Sequence, residues 1–173
     1  MKFLVFLALI IIIIVVIALF YVISFNKLSI IKIKMDNAED NIKNRLKSKE
    51  EQMKKLAGMI KKVVKKKDYL KDFNSIAKER LDIHELDARL ASNFELMKEI
   101  QSDYKRLKTE EYYTTIDNIE EIDQEILANK KYFNKNNNLL IKQLKGYHKI
   151  VAKINHITVK TSYETKEPKR DLL

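Results

Sequence analysis

The sequence predicts an all-α protein: an N-terminal transmembrane helix, then an antiparallel up-and-down helical bundle of three long helices and a shorter fourth. Three observations predict it. The first 25 or so residues are almost entirely apolar. The 173 residues contain two glycines and one proline, too few for a fold built on many tight turns, so the elements must be long. With 34% of residues charged, apolar positions recur between them at spacings of three and four, the period of an amphipathic helix.

The anchor comes first. From Phe3 to Phe25 there is no charge, and Leu9 to Val16 is an unbroken aliphatic run. As a helix this stretch reaches roughly 35 Å, slightly more than a hydrocarbon core of roughly 30 Å. Tyr21 suits the interface at its far end, and Asn26 and Lys27 close it. A cleaved secretory signal would have a shorter apolar region followed by a small-x-small site, and no such site follows here. The reading is therefore residues 1–26 as a retained anchor, 27–160 as the bundle and 161–173 as a flexible tail. Lys2 stands on one side of the span. On the other stand Lys27, Lys32 and Lys34, then Lys43, Arg45 and Lys47, an excess that favours the bundle in the cytoplasm of a single-pass cell-membrane protein over the inverted topology, which a long folded domain can adopt regardless of charge.

Behind the anchor, Ile31, Met35, Ala38, Ile42, Leu46, Met53, Leu56, Ile60 and Val63 make one helical stripe, weakest at Gly58. A second stripe runs from Leu70 through Phe73, Ala77, Leu81, His84, Leu86, Leu90, Phe94 and Met97 to Ile100, interrupted by Arg80 and Asp87. Ser102 and Asp103 can turn the chain. Thr109 is a candidate N-cap, with Glu110 and Glu111 in the first turn, where the helix dipole favours acids. The third stripe is Tyr112 or Tyr113, Ile116, Ile119, Ile122, Ile126, Lys130 and Phe133, and it can continue through Leu140 and Leu144 to Gly146. Periodicity leaves open whether Asn136, Asn137 and Asn138 lie within that helix or break it. From 148 onward the sequence reads as a short docked piece.

Charge is partitioned along the chain. Residues 27–67 carry 14 Lys/Arg against 5 Asp/Glu, 68–125 carry 8 against 16, and 126–173 carry 11 against 3. A basic first helix facing acidic partners favours their pairing and register. Two lysine groups are candidate binding sites. Lys27, Lys32 and Lys34 can touch anionic lipid, each worth on the order of 1 kcal/mol near a charged surface. Lys61, Lys62, Lys65, Lys66 and Lys67 can serve as a basic end for a partner, with Lys135, Lys142 and Lys145 expected at the same distal end. The plainer account of that run is cations collecting at a helix C-terminus.

Chemistry finds little support. There is no cysteine, which excludes thiol catalysis and thiolate metal sites. His84-Glu85 opens like a zinc-protease motif, but Ala88 stands where the second histidine is required. The residues three before His84, His148 and His156 are Leu81, Lys145 and Lys153, so the di-iron Glu-x-x-His pattern is missing. His84, on the second stripe, reads as a boundary or core histidine. Glu110, Glu111, Asp117, Glu120, Glu121, Asp123 and Glu125 read as a solvated or salt-bridging acidic face. No phosphate-binding glycine loop or nucleophile motif is present. The expectation is no catalytic residue, no metal and no cofactor.

Several short motifs together resemble the LemA family of bacterial membrane-anchored proteins. Phe25-Asn26-Lys27-Leu28 resembles the family's aromatic-Asn-x-Leu at the membrane exit, and Asn37-Ala38, Asn41-Ile42 and Leu46-Lys47 its first-helix signature. Tyr104-Lys105-Arg106-Leu107-Lys108 resembles its Tyr-Pro-x-Leu-Lys turn. Ile126 with Lys130-Lys131-Tyr132-Phe133-Asn134 resembles its Ile-x-x-Ala-Arg-x-x-Tyr-Asn stretch, and Tyr147 to Ala152 with Tyr163 its ending. Glu51-Gln52-Met53-Lys54-Lys55 departs from the usual Asp-Leu-Ile-Pro-Asn, and Lys105 and His148 replace prolines. The resemblance implies an antiparallel four-helix bundle at the inner face of a bacterial membrane and no particular chemistry.

The functional expectation is a membrane-tethered, non-enzymatic scaffold or adaptor whose helix faces meet a protein partner. The alternative is membrane remodelling or anionic-lipid organisation through the juxtamembrane lysines, with self-association of the long helices. Nucleic-acid binding through Lys61 to Lys67 ranks below both.

Overall fold

The computed structural model describes residues 2–64, 67–76 and 79–165. Their regular structure is helical throughout: α1 (Lys2–Val63), a 3-10 turn (Lys67–Leu70), α2 (Lys71–Ile76), α3 (Ile83–Asp103), a second 3-10 turn (Lys105–Leu107), α4 (Glu110–Gln143) and α5 (Tyr147–Ile154). No strand occurs among the described residues, and the long N-terminal helix packs against α4 and α3. The chain forms two compact units, one of Met1–Ala38 with Tyr132–Ser162 and one of Glu39–Lys131 with Tyr163–Leu173.

α1 is unbroken because nothing in its sequence breaks it. It has no proline, and Gly58 is an exposed position where a Cβ would meet nothing within 4 Å. Its buried positions include Leu28, Ile31, Met35 and Ala38 in the first unit, then Ile42, Leu46, Lys49, Met53, Leu56 and Ile60 in the second. Steps of three and four keep one face turned inward, and each buried aliphatic side chain contributes roughly 1.5–3 kcal/mol by leaving water. The last turn carries Lys61 and Lys62, where the helix dipole favours cations.

In the second unit, the sequence expectation of one helix from Leu70 to Ile100 is corrected. The stripe is divided into the 3-10 turn, α2 and α3, and α3 starts at Asp82, whose Oδ1 accepts from the backbone N–H groups of His84 at 2.8 Å and Glu85 at 2.9 Å. That N-cap satisfies two donors a new helix start would otherwise leave unpaired. Arg89 then holds α2 to α3: its guanidinium donates to Asp72 Oδ1 and Ser75 Oγ, both at 2.6 Å, and to Glu79, while Asn93 donates to Asp72 Oδ2 at 2.6 Å. Phe73 and Ile76 on α2 are buried beneath this clip.

Helix directions follow from the cross-helix pairs. Asn41, Arg45 and Lys49 of α1 meet Asn129, Glu125 and Asp123 of α4, and Asp87 and Lys98 of α3 meet Lys130 and Glu120. Both series descend along α4 as they ascend along the partner, so α1 and α3 each run opposite to α4. The short return is therefore the 3-10 turn with α2, between the first two long helices, an element the sequence reading did not separate; the shorter helix it placed last is α5. Thr109 caps α4 as expected, accepting from Tyr112 N at 3.3 Å. Tyr112 is the inward tyrosine: it is fully buried, its hydroxyl donates to Met97 O at 2.9 Å, and burial pushes its pKa up to about 12.

In the first unit, α4 passes through Asn136–Asn138 without a break. The two buried amides explain why it can. Asn136 Nδ2 donates to Tyr132 O at 2.8 Å, one turn back, and Asn137 bonds the backbone of Lys160 twice, donating to its O at 2.6 Å and accepting from its N at 3.2 Å. Gly146, at φ +53°, turns the chain into α5. α5 ends with Ile157 N donating to Ala152 O at 2.9 Å, the long bond of a Schellman closure, with His156 at φ +51° where glycine is usual.

The segment read as a tail begins with ordered contacts. Asn137 Nδ2 also donates to Ser162 Oγ at 3.2 Å; Tyr163 is buried and its ring stacks on His84 at 4.5 Å. Residues 166–173 of that predicted tail lie outside the described residues.

Candidate functional site

In the second unit, Lys49 lies on the inner face of α1 and is only 2% exposed. Its Nζ donates to both carboxylate oxygens of Asp123, at 2.7 and 2.8 Å, and stands 5.4 Å from the centre of the Phe94 ring. Beside it Lys130 pairs with Asp87, and both are largely withdrawn from solvent. These side chains line an open cleft of about 330 Å³ whose apolar wall is Phe94, Ile126 and Leu127. Burial pushes the Asp123 carboxyl above its ordinary 3.8, and the attraction of Lys49 only partly pulls it back.

Each ammonium in this cleft faces a carboxylate, so the charges are matched in pairs. Such an arrangement fixes register better than it drives chemistry: a slip along α4 would bury four charges without partners. Two of the four stand on the stripes read from the sequence, Asp87 as an interruption of the second and Lys130 as a member of the third, and the structure pairs them. Lys49 was missed, although its place between Leu46 and Met53 at steps of three and four marks it as inward-facing. Asp123 and Glu125, read as part of a solvated or salt-bridging face, both form interhelical ion pairs, half-buried Asp123 with Lys49 and Glu125 with Arg45. Among the described residues, no three His, Asp or Glu side chains are grouped to hold a metal ion. His84, expected at the boundary or in the core, is an exposed residue that stacks on Tyr163.

The two predicted lysine groups fall in different units. Lys27 and Lys34 are exposed in the first. Lys32, also exposed, donates to Asp36 at 2.6 Å, and Lys160 reaches the same carboxylate at 2.9 Å. Burial acts to raise the Asp36 pKa, but the two ammonium groups outweigh it and hold the carboxyl below its ordinary 3.8. Part of the basic charge assigned to lipid is thus spent within the protein. In the second unit Lys61 and Lys62 are exposed, and Lys61 Nζ donates to Asn74 Oδ1 at 3.2 Å. Lys65, Lys66 and the Lys67 side chain lie outside the described residues. Lys135, Lys142 and Lys145 are corrected: they belong to the unit of Lys27, Lys32 and Lys34, because α4 runs opposite to α1.

The largest unsatisfied surface is the start of α1. Phe3 through Phe20 are exposed throughout, and this helix is long and apolar enough to cross a membrane. The chain matches no protein-family model, no curated protein and no solved structure. Its function must be argued from these residues.

Proposed function

We propose that this chain is a membrane-tethered, non-enzymatic scaffold or adaptor, an up-and-down bundle of the kind the LemA resemblance implies, at the cytoplasmic face of a bacterial membrane. One observation carries the reading: the helix that presents the exposed apolar stretch from Phe3 continues, without a break, into the core positions of both units. Water-exposed apolar surface of that extent calls for lipid, and the bundle built on the same helix stays attached to whatever the span is embedded in. The polar cluster of the second unit supports a structural role, since its four charges are consumed in holding α1, α3 and α4 together. What remains for recognition is the outer surface of the helices.

The test places a photo-crosslinking amino acid in the full-length chain in intact cells, at Lys47, Glu51 or Lys55, all exposed on the second unit's part of α1. A discrete protein adduct at a subset of these positions is the expected result. Adducts to lipid alone, or none at any exposed position of that unit, would overturn the adaptor reading.

A further inference from the structure

The geometry points to α5 as a second membrane contact: we propose that its outer edge, Tyr147, Ile150 and Ile154, lies in the head-group region of the bilayer crossed by the N-terminal span. The inference rests on the reading of that span as an anchor. Residues 147, 150 and 154 fall within one narrow sector of a helix, and they are 40%, 57% and 60% exposed. Val151 and Ala152, on another sector, are buried against the first unit. α5 therefore has two apolar faces, and the protein covers only one.

Its level relative to the bilayer is fixed by a hydrogen-bond pair. Asn155, which closes α5, accepts from Tyr21 Oη at 3.3 Å and donates to the same oxygen at 3.0 Å. Tyr21 lies about 20 residues along α1, so at about 1.5 Å per residue it stands roughly 30 Å from the start of the span, one hydrocarbon thickness. The C-terminal end of α5 is thus held where the hydrocarbon gives way to head groups. A short helix with an apolar edge at that depth is an interfacial helix.

Charge selects the occupant. Lys149 and Lys153 are exposed, and helical spacing places them on the flank beside the apolar edge. No Asp or Glu occurs from 132 to 159 in this unit, a stretch holding five exposed lysines, Lys135, Lys142, Lys145, Lys149 and Lys153. Such a surface complements anionic head groups, whereas pairing with the same face of a second copy would bring like charges together.

Because the chain has no cysteine, single cysteines can report depth in the full-length protein. Ile12→Cys marks the span, Ile150→Cys and Ile154→Cys mark α5, and Glu51→Cys marks the second unit. Each is labelled with an environment-sensitive fluorophore in phosphatidylcholine vesicles, with and without phosphatidylglycerol, containing shallow or deep spin-labelled lipid. Labels at 150 and 154 should be quenched by the shallow lipid, the label at 12 by the deep lipid, and the label at 51 by neither. With phosphatidylglycerol present, replacing Lys149 and Lys153 by Gln should shift the inserted-to-solvated ratio of α5 by about fivefold per lysine. Quenching at 12 with none at 150 or 154 overturns the α5 proposal alone, and so does disulfide formation between Ile150→Cys copies without lipid quenching. Loss of quenching at 12 overturns the anchor reading beneath it.

Discussion

At the scale of single residues, the Lys49–Asp123 pair concentrates the energetic risk in the second unit. A buried ammonium whose carboxylate is removed keeps its desolvation cost and loses its compensation. Asp123→Ala should therefore destabilise by about 3–5 kcal/mol, whereas the double change Lys49→Met with Asp123→Leu, which removes both charges and keeps volume, should fall near the parent. Denaturant unfolding of the full chain in mild detergent measures both, and equal losses in the two variants would contradict the assignment. The pair was half legible. Lys49 stands on an apolar stripe, but a lysine there can snorkel to water, and only its distance to Asp123 shows that it does not.

Asp123 and Asp72 also titrate in opposite senses. Burial raises the Asp123 pKa above 3.8, so its contribution to stability is present below 3.8 and is lost as pH rises through the folded value. Hydrogen bonds from Asn93 and Arg89 lower that of Asp72, so its contribution is present above 3.8 and lost as pH falls through the folded value. Carboxyl carbon NMR titration should show Asp123 protonating before Asp72 on acidification. Asp72→Asn should flatten the acid limb of stability below 3.8.

At the scale of elements, two positive-φ residues flank α5. Gly146 at φ +53° has space for a Cβ but a backbone angle that side chains resist, so Gly146→Ala should cost about 1 kcal/mol. His156 also has a positive φ, +51°, as a non-glycine at the Schellman position, and His156→Gly should recover up to about 1 kcal/mol. Thermal unfolding followed by circular dichroism reads the opposite shifts. The elements were legible where breakers and caps are local: Thr109 and the end of the third stripe near Gly146 both hold. They were illegible where a long-range partner decides. Asn137 sustains α4 by bonding Lys160, 23 residues away, and the break before α3 rests on Asp82 and on the grip of Arg89 across α2, while the apolar period continues through it.

At the scale of the whole molecule, the all-α class and the long apolar N-terminal helix were readable because both depend on composition over long windows. The short return through α2 was not, since the apolar period runs on from Leu70 to Ile100 across the break. Charge partition did indicate pairing: basic α1 meets the acidic half of α4 through Arg45–Glu125 and Lys49–Asp123. The span itself can be separated from the bundle by one substitution. Ile13 is exposed and makes no part of the core, so Ile13→Lys should leave bundle stability unchanged while raising the cost of insertion by about 2.5–3.5 kcal/mol. Alkaline carbonate extraction should then release more of the variant than of the parent. The parent should remain in the membrane pellet at its full mass of 20.5 kDa, whereas a cleaved signal would leave a shortened chain there or in the supernatant. Retention of the full chain together with weakened retention of the Ile13 variant is the combination that only a lipid-embedded, uncleaved α1 produces.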